Sequence, residues 1–368
     1  MREVRLGISL YPEFASAEAC REYLRLAARH GYRVLFVALL GVRDERDEVT
    51  ARYRALTDEA HALGFEVFCD VNPSVLARFG VNASVLRGKL DLGFLQEIGC
   101  DVMRLDLGLS EMEEAFLTRN EAGIGVCLNA SANACDHIGA LLASGGEPAR
   151  IVGCHNYYPH RYTGLTLEYF LTCSRRWKER GLPLQAFVSS QEPEAFGPWP
   201  ACDGLPTLEM HRDLPAAVQA RHLVQLGCVD DIIVGNCFAS ERELAAIAAG
   251  VAAPMAFTLH RAPGLPKELE LRLRLGLSCR PEQNGYLVRT VESRMVKGEV
   301  APFNTVDIRR GDVLVDNDGY GQYAGEVQIA LAAMENSGRT NVVGYIDGAE
   351  LMLLDGLRAG TRFTFNVV

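Results

Sequence analysis

The chain has 368 residues, of which 48% are apolar and 23% are charged, and its formal net charge is −10. The composition is that of an ordinary globular protein. The acidic balance argues against a nucleic-acid-binding surface, because such surfaces need clustered basic charge. The length exceeds the size at which one hydrophobic core usually stops growing, so we expect two domains.

The 11 cysteines are scattered without a Cys-x-x-Cys pair, which indicates buried thiols in a reducing compartment. The first residues run directly into an apolar segment, so we expect no signal peptide. The longest apolar stretches, such as Val34–Val42, are well short of the about 18 residues of a membrane span. These features predict a cytoplasmic protein that binds neither membranes nor nucleic acid.

Eight short apolar runs, each ending in polar residues, are followed by helical stretches in the first two-thirds of the chain. The runs are Val4–Tyr11, Val34–Leu40, Glu66–Asn72, Asp101–Asp106, Gly125–Ser131, Ile151–Asn156, Leu184–Ser190 and Asp231–Asn236. Continuous apolar strands are typical of parallel sheets buried on both faces. A doubly wound open sheet is the competing architecture. Eight units without a Gly-x-Gly-x-x-Gly fingerprint favour a closed (β/α)8 TIM barrel over residues 1–252.

Capping residues place several of the intervening helices. The predicted helices are Ser16–His30, Glu45–Leu63, Thr166–Arg180, Leu214–Leu226 and Ser240–Ala249. The first four are each followed by glycine, and Ser240 with Glu243 forms a predicted capping box. Long loops are expected at Ser74–Leu90 and Gln191–Arg212, after the third and seventh strands, where they would shape a pocket.

The rhythm breaks near Ala252–Pro266, and residues 253–368 are predicted to form a small β-rich domain. Its predicted strands are Tyr286–Ser293, Asp312–Val315, Glu326–Ala330, Asn341–Asp347 and Arg362–Val367, with a possible short helix at Asp347–Asp355. Turn signals separate these segments. About 110 residues are enough for an independent domain.

Catalytic residues of TIM barrels lie at the strand C-termini, which directs attention to three acids. Asp70 and Asp106 end the third and fourth strands, and Glu13 follows the first. Two carboxylates across a small opening are the minimum for glycoside hydrolysis, in which one protonates the leaving oxygen and the other attacks or activates water. Each acid alone has a structural alternative, because a strand-end Asp often caps a loop or pairs with an arginine. Glu209 is a further candidate acid.

Strand six ends in His155, Asn156 and two tyrosines, a run rich in hydrogen-bond donors and in surface for stacking on a sugar. The alternative role for His155 is that of a zinc ligand. His160 lies five residues away across a turn and shares no helical face with it, so no metal is expected. Asn129 and Asn236 end strands five and eight, where they would bind sugar groups or satisfy loop backbone.

Two arginines of the second domain, Arg289 and Arg294, bracket Thr290–Ser293, and alternation along the predicted strand would put Arg289, Val291 and Ser293 on one face. Arginine is the preferred residue for bidentate capture of carboxylate or phosphate, although pairing with internal acids would make both structural. The cysteines in the barrel strands have apolar neighbours and are predicted core residues, since reactive thiols need an exposed electropositive site.

Several strings of this sequence resemble a bacterial family of 6-phospho-N-acetylmuramidases. They include Gly7–Glu13, Asp70–Pro73, Arg104–Asp106, Gly153–Pro159, Gly197–Trp199, Asp203–Arg212, Asp230–Asn236, Val288–Arg294, Arg309–Asp312 and Gly319–Gln328. The resemblance runs collinearly through both predicted domains and is weak over Ala256–Gln283. It implies a TIM barrel followed by a cyclophilin-like β-barrel domain.

The resemblance also implies a cytoplasmic hydrolase of cell-wall recycling without metal or organic cofactor. Its substrate would be a phosphorylated amino-sugar disaccharide, cut at the β-1,4 bond between 6-phospho-N-acetylmuramic acid and N-acetylglucosamine. The catalytic acids rest on position alone. The predicted substrate-binding residues are Tyr11, Asn72, Arg104, Asn129, His155, Asn156, Tyr158, His211, Asn236, Arg289 and Arg294. We expect the second domain to bind the phosphate or lactyl group while the barrel performs the chemistry.

Two alternatives remain open. One is another barrel enzyme acting on a sugar phosphate; an aldolase would need a Schiff-base lysine, and the predicted strands contain none. The other is a sugar-phosphate-binding regulatory protein without turnover, since fold alone does not separate these functions. A homo-oligomer is compatible with the sequence.

Overall fold

The computed structural model describes residues 4–132, 136–296 and 298–368. The chain divides into two compact units, residues 1–251 and 252–368. In the first unit, eight parallel strands close into a barrel in sequence order, which confirms the predicted TIM fold. These strands are β1 Arg5–Leu10, β2 Val34–Ala38, β3 Glu66–Val71, β4 Val102–Leu105, β5 Gly125–Asn129, β6 Ile151–Cys154, β7 Leu184–Val188 and β8 Asp231–Val234.

Helices follow the strands. They are α1 Ala17–Arg29, α2 Arg46–Ala62, α3 Pro73–Arg78, α4 Gly93–Glu97, α5 Glu111–Leu117, α6 His137–Ala143, α7 Leu167–Lys178, α8 Ala216–Leu226 and α9 Glu241–Ala252. Local signals explain many ends: the Ser16 hydroxyl accepts from the Ala19 amide at the start of α1. The expected loop after β3 is partly helical, because Asn72 caps α3 and Pro73 occupies its first turn. A single 3₁₀ turn, Val85–Arg87, follows it.

Side chains from every second position of the strands fill the barrel interior. A buried cluster comprises Val34, Phe36, Phe68, Val102, Cys127, Cys154, Phe187 and Ile233. Since successive strand side chains point to opposite faces, residues two positions further along also face the barrel axis. At the strand C-termini these residues include Asp70, Arg104, Asn129 and Asn156, and Asp106 continues the same alternation after β4.

Residues of the opposite alternation face the helices and form the larger core of the unit. The predicted burial of the strand cysteines is confirmed, because Cys69, Cys127 and Cys154 have no exposed surface. Burial raises the pKa of the Cys127 thiol well above its usual value, so this side chain stays a neutral core group. Among the described residues, no helix is long and apolar enough to cross a membrane.

The second unit is a curled seven-stranded sheet, which confirms the expected β-rich domain. Its strands are β9 Met255–Arg261, β10 Leu277–Ser278, β11 Leu287–Arg289, β12 Asp312–Asp316, β13 Val327–Ala330, β14 Thr340–Ile346 and β15 Arg362–Val367. They lie in the order β10-β15-β9-β14-β12-β13-β11, and only β15 and β9 pair in parallel. Helix α10 spans Lys267–Leu273, and 3₁₀ turns cover Glu292–Met295, Asp318–Tyr323 and Gly348–Gly356.

Two details of this unit differ from the sequence-based prediction. Strands β9 and β10 and helix α10 lie where no regular element was predicted. Strand β11 ends at Arg289 rather than Ser293, because a 3₁₀ turn begins at Glu292, whose carboxylate accepts from the Ser278 amide over 2.7 Å. The predicted alternation beyond Arg289 is therefore wrong.

Candidate active site

Arg104 and Asp70 form the centre of the polar group at the strand C-termini. Arg104 Nη1 donates to Asp70 Oδ1 over 2.5 Å, and the two side chains are 5% and 1% exposed. The register explains the contact, since Asp70 and Arg104 are directly paired across β3 and β4. A charge pair this deep is kept only when geometry and hydrogen bonds compensate for lost hydration.

Asp70 is the carboxylate best suited to hold a proton. Burial raises its pKa from 3.8 to about 6, and the nearby Asp106 charge adds to the rise, while Arg104 opposes both. Its second oxygen, Oδ2, is buried and has no hydrogen-bond partner among the described groups. A raised pKa and an unpartnered oxygen at a barrel mouth are features of a general acid.

Asp106 lies beside Asp70 and is more accessible. The same Arg104 Nη1 donates to Asp106 Oδ1 over 3.0 Å, and the Asp106 side chain is 37% exposed. Arg104 Nη2 donates to the side-chain oxygen of Asn156. The guanidinium thus orients three predicted site residues at once, and we interpret Arg104 as a positioning residue rather than a direct substrate contact.

Tyr157 and Trp199 complete this end of the barrel. The Tyr157 ring packs edge-on against Phe36 and Phe187 of the barrel interior, at centroid distances of 6.3 and 5.1 Å. Burial, Asp70 and Asp106 raise the pKa of its hydroxyl, while Arg104 and the indole of half-exposed Trp199 act in the opposite direction. These aromatic rings beside the acids offer a surface for a sugar ring.

The sequence singled out Tyr158 instead of Tyr157. The Tyr158 hydroxyl lies near Ser131, on the side of Tyr169 from α7. Both tyrosines follow strand six. Which of them lies beside the acids depends on the direction in which the chain leaves the barrel, and the sequence does not give that direction. Trp199 lies in one of the strings that resemble the family, Gly197–Trp199, and its residue type alone did not indicate a role.

His155 and His211 are buried structural residues. His155 faces α7, where Nε2 lies 3.0 Å from the Ser174 hydroxyl, and burial lowers its pKa to about 3. His211 Nε2 lies 2.8 Å from Nδ1 of His222 in α8, and burial again lowers its pKa. Each ring is held by a buried side-chain partner away from the Asp70 group, so the expected contacts with substrate are not supported.

The expected amide ligands have different environments. Asn236 binds the backbone after β7, accepting from the Ser190 amide over 2.8 Å, which makes it a loop brace. Asn129 faces the barrel mouth, and its oxygen accepts from the Ser131 amide over 2.9 Å. Asn72 caps α3. Tyr11 is buried below the mouth and donates its hydroxyl proton to the Gly235 carbonyl.

Glu13 lies apart from the Asp70 group. Its carboxylate accepts from the Tyr53 hydroxyl of α2 over 2.5 Å, and Arg52 Nη1 is 3.9 Å away. Burial raises the pKa of Glu13, and the Tyr53 hydrogen bond opposes the rise. The contacts of Glu13 are thus with α2, and among the described residues no hydrogen bond or ion pair joins it to Asp70 or Asp106.

Glu209 is fully occupied in holding a loop. It receives two hydrogen bonds from Arg212, at 2.8 and 2.6 Å, and two from the backbone amides of Tyr162 and Gly164. These contacts, led by the Arg212 hydrogen bond, lower its pKa to about 2. A carboxylate so stabilised in its ionised form does not donate a proton near neutral pH, and we withdraw it as a candidate acid.

A carboxylate also occupies the region where many TIM barrels bind phosphate, after strands seven and eight. Ser240 caps α9 as predicted, accepting from the Glu243 amide. The Glu243 side chain does not complete the capping box. It accepts instead from the Ser190 hydroxyl and from the Gln191 amide, the latter over 2.8 Å. A substrate phosphate would be repelled there.

In the second unit, Arg289 is engaged by an internal acid. Its Nε and Nη2 donate to both oxygens of the fully buried Glu326, at 2.6 and 2.9 Å. The Arg289 guanidinium, which was expected to bind an anionic group of the substrate, is therefore already paired. The side chain of Arg294 lies outside the described residues. Within the described ranges, no group of three or more His, Cys, Asp or Glu side chains could hold a metal ion.

A closed parallel barrel with two linked carboxylates at its C-terminal mouth defines a TIM-barrel protein with the side chains of a hydrolase. Two family models match the chain: 6-phospho-N-acetylmuramidase, N-terminal, over residues 6–249, and 6-phospho-N-acetylmuramidase, C-terminal, over residues 266–366. The chain belongs to this family, whose name denotes a glycosidase.

Solved structures agree with the assignment. An uncharacterized Bacillus cereus protein is 35% identical, with a TM-score of 0.86, and the match covers 99% of both chains. A conserved Enterococcus faecalis protein of unknown function is 24% identical, with a TM-score of 0.75, over 99% of this chain and 96% of that one. The second likeness concerns the fold alone. A comparison with curated protein sequences gives no significant match.

Proposed function

We propose that this protein hydrolyses the β-1,4 bond between 6-phospho-N-acetylmuramic acid and N-acetylglucosamine, in the cytoplasm, as a step of peptidoglycan recycling. One observation carries the proposal: a buried carboxylate, Asp70, with its pKa raised to about 6 and one oxygen unpartnered, adjoins a second carboxylate at the barrel mouth. The family name supplies the substrate class.

Asp70 acts as the general acid in this proposal. Its proton passes to the glycosidic oxygen as the bond from that oxygen to the anomeric carbon of the muramic acid breaks. Asp106 either attacks the anomeric carbon or orients the substrate's own acetamido carbonyl for that attack. Water then attacks the anomeric carbon and displaces the oxygen of Asp106 or of the acetamido group, while the ionised Asp70 takes a proton from that water.

The spacing of the two acids favours retention of the anomeric configuration. The Oδ1 atoms of Asp70 and Asp106 both accept from the same Arg104 nitrogen, over 2.5 and 3.0 Å. The distance between these two oxygens is therefore at most the sum of the two hydrogen-bond lengths. Inverting glycosidases separate their carboxyl groups by roughly 6.5–9.5 Å to admit a water, and retaining ones by about 5–5.5 Å. Direct and acetamido-assisted attack both retain.

The test is incubation with the phosphorylated muramyl disaccharide, with the first-formed anomer followed by NMR. We expect turnover with retention, and a loss of about 10²–10⁴-fold in Asp70→Asn. Asp58→Asn, at an exposed aspartate of α2 that pairs with Arg54, is the matched control and should retain wild-type activity. Binding without turnover would show a sugar-phosphate-binding protein instead, and an inverted first product would refute the assigned geometry.

An aldolase is not supported. None of the eight barrel strands, all of which the structure describes, contains the lysine needed for a Schiff base.

A further inference from the structure

The curled sheet of the second unit contains a cavity of about 410 Å³ whose lining belongs entirely to that unit. One part of the lining is apolar and includes Leu287, Ile308, Leu314 and Met334. The opposite part is polar. Mixed concave sites of this size are typical of small-molecule binding.

The polar part is a connected group of buried side chains. Asp316 accepts from the Thr340 hydroxyl over 2.9 Å and from Gln328 Nε2 over 2.8 Å. All three side chains are buried, as is Glu326 behind them. On the same faces of the neighbouring strands, Leu314, Ala330 and Val342 are apolar, so a purely structural interior would need no polar group here.

The charges of the cavity disfavour an anion. Asp316 and Glu335 line it, and the guanidinium of Arg289 is already held by Glu326. Burial raises the pKa of Asp316 to about 6, and the neighbouring Glu326 charge adds to the rise. A neutral ligand is therefore favoured over an anionic one.

The remaining features suit an acetamido sugar. Tyr320 and Tyr323, both partly exposed, line the cavity and add aromatic surface for a sugar ring, and the Arg339 guanidinium lies 5.8 Å from the centroid of the Tyr320 ring. Gln328 uses its amide nitrogen on Asp316, which leaves its carbonyl oxygen to accept from an acetamido N–H. The apolar part would receive the acetyl methyl group.

We propose that this cavity is a second, non-catalytic binding site for an uncharged N-acetylated hexosamine. The site is built wholly from the second unit and does not depend on the chemistry proposed for the barrel. It also replaces the expectation that this domain binds the phosphate or lactyl group through Arg289.

The test is saturation-transfer NMR on the full chain with N-acetylglucosamine as the probe and glucose and N-acetylglucosamine 6-phosphate as comparisons. We expect signal at the acetyl methyl, and at least tenfold weaker binding in Tyr320→Ala and in Ser337→Trp, which fills the cavity mouth. Two control variants should leave the binding of N-acetylglucosamine to this cavity unchanged. They are Tyr345→Ala, at an exposed tyrosine outside the cavity, and Trp199→Ala, in the first unit.

Three results would overturn the proposal. The first is absence of binding, and the second is binding that Trp199→Ala abolishes while Tyr320→Ala and Ser337→Trp leave it intact. The third is a Tyr320-dependent preference for the phosphorylated probe or glucose. Thermal melting of each variant separates lost binding from lost folding, and the readout is independent of hydrolysis.

Discussion

Arg104 and Asp70 form a buried ion pair across neighbouring strands of the barrel, joined by a 2.5 Å hydrogen bond from Nη1 to Oδ1. The arginine lowers the pKa of the aspartate, and burial raises it further than the arginine lowers it, to about 6. The pair therefore places a carboxyl group near half protonation under mildly acidic conditions, within reach of a second carboxylate.

The pH dependence of kcat/KM follows from this balance. Asp70 donates a proton only while it is protonated. We therefore expect an alkaline limb in the pH profile, in which kcat/KM begins to fall near pH 6 and then falls about tenfold per pH unit. A pH–rate profile on the phosphorylated disaccharide checks this. An activity that stays constant from pH 5 to 8 would remove Asp70 as the acid.

Arg104→Gln should move that limb to higher pH. The guanidinium stabilises the ionised form of Asp70, so its loss raises the pKa of the acid. We also expect lower stability, by about 3–5 kcal/mol, because removing one partner leaves a buried group unpaired. Arg161→Gln, which breaks an exposed pair with Asp213, is the matched control and should leave the limb in place. A limb unchanged in Arg104→Gln would contradict the coupling.

The two neighbouring tyrosines provide a paired comparison. Tyr157→Phe should lower kcat/KM by about 10-fold or more, since its hydroxyl lies near Asp70 and Asp106, where a lost polar contact costs about 1–3 kcal/mol. Tyr158→Phe should change kcat/KM little, because its hydroxyl lies near Ser131. Steady-state kinetics on both variants decides the matter, and the reverse order would show that we have chosen the wrong ring.

Glu209→Gln should reduce stability and leave the pH profile of kcat unchanged. The variant loses the ion pair to Arg212 and keeps weaker contacts with the two amides, at a cost of roughly 1–3 kcal/mol. Its folded pKa of about 2 is below the usual 4.5, so the stabilisation is complete above pH 4.5 and is lost as the pH falls toward 2. Thermal melts from pH 7 to 3 should show the two proteins converging. A shifted kcat profile would restore Glu209 as a catalytic candidate.

Much of the fold was predictable because its signals are local. The apolar runs, the Ser16 and Ser240 caps, and the glycines after the helices each depend on a few consecutive residues, and the structure confirms them. Asp70 and Asp106 were found by the same logic, since a strand C-terminus in a barrel marks the mouth. The structure brings these two together as expected, but not Glu13.

What the sequence left undecided was which side chains face the barrel axis. The strands are buried on both faces, so their composition does not alternate, and nothing local separates Asn156 from His155 or Tyr157 from Tyr158. Closure of the barrel decides the direction of each side chain. Contacts between distant segments decide the rest: Arg289 meets Glu326, and Glu209 turns to Arg212 and the loop before α7, because folding brings those partners together. The sequence thus determined where the acids lie along the chain, while the tertiary structure alone determined which of them is buried beside an arginine and able to hold a proton.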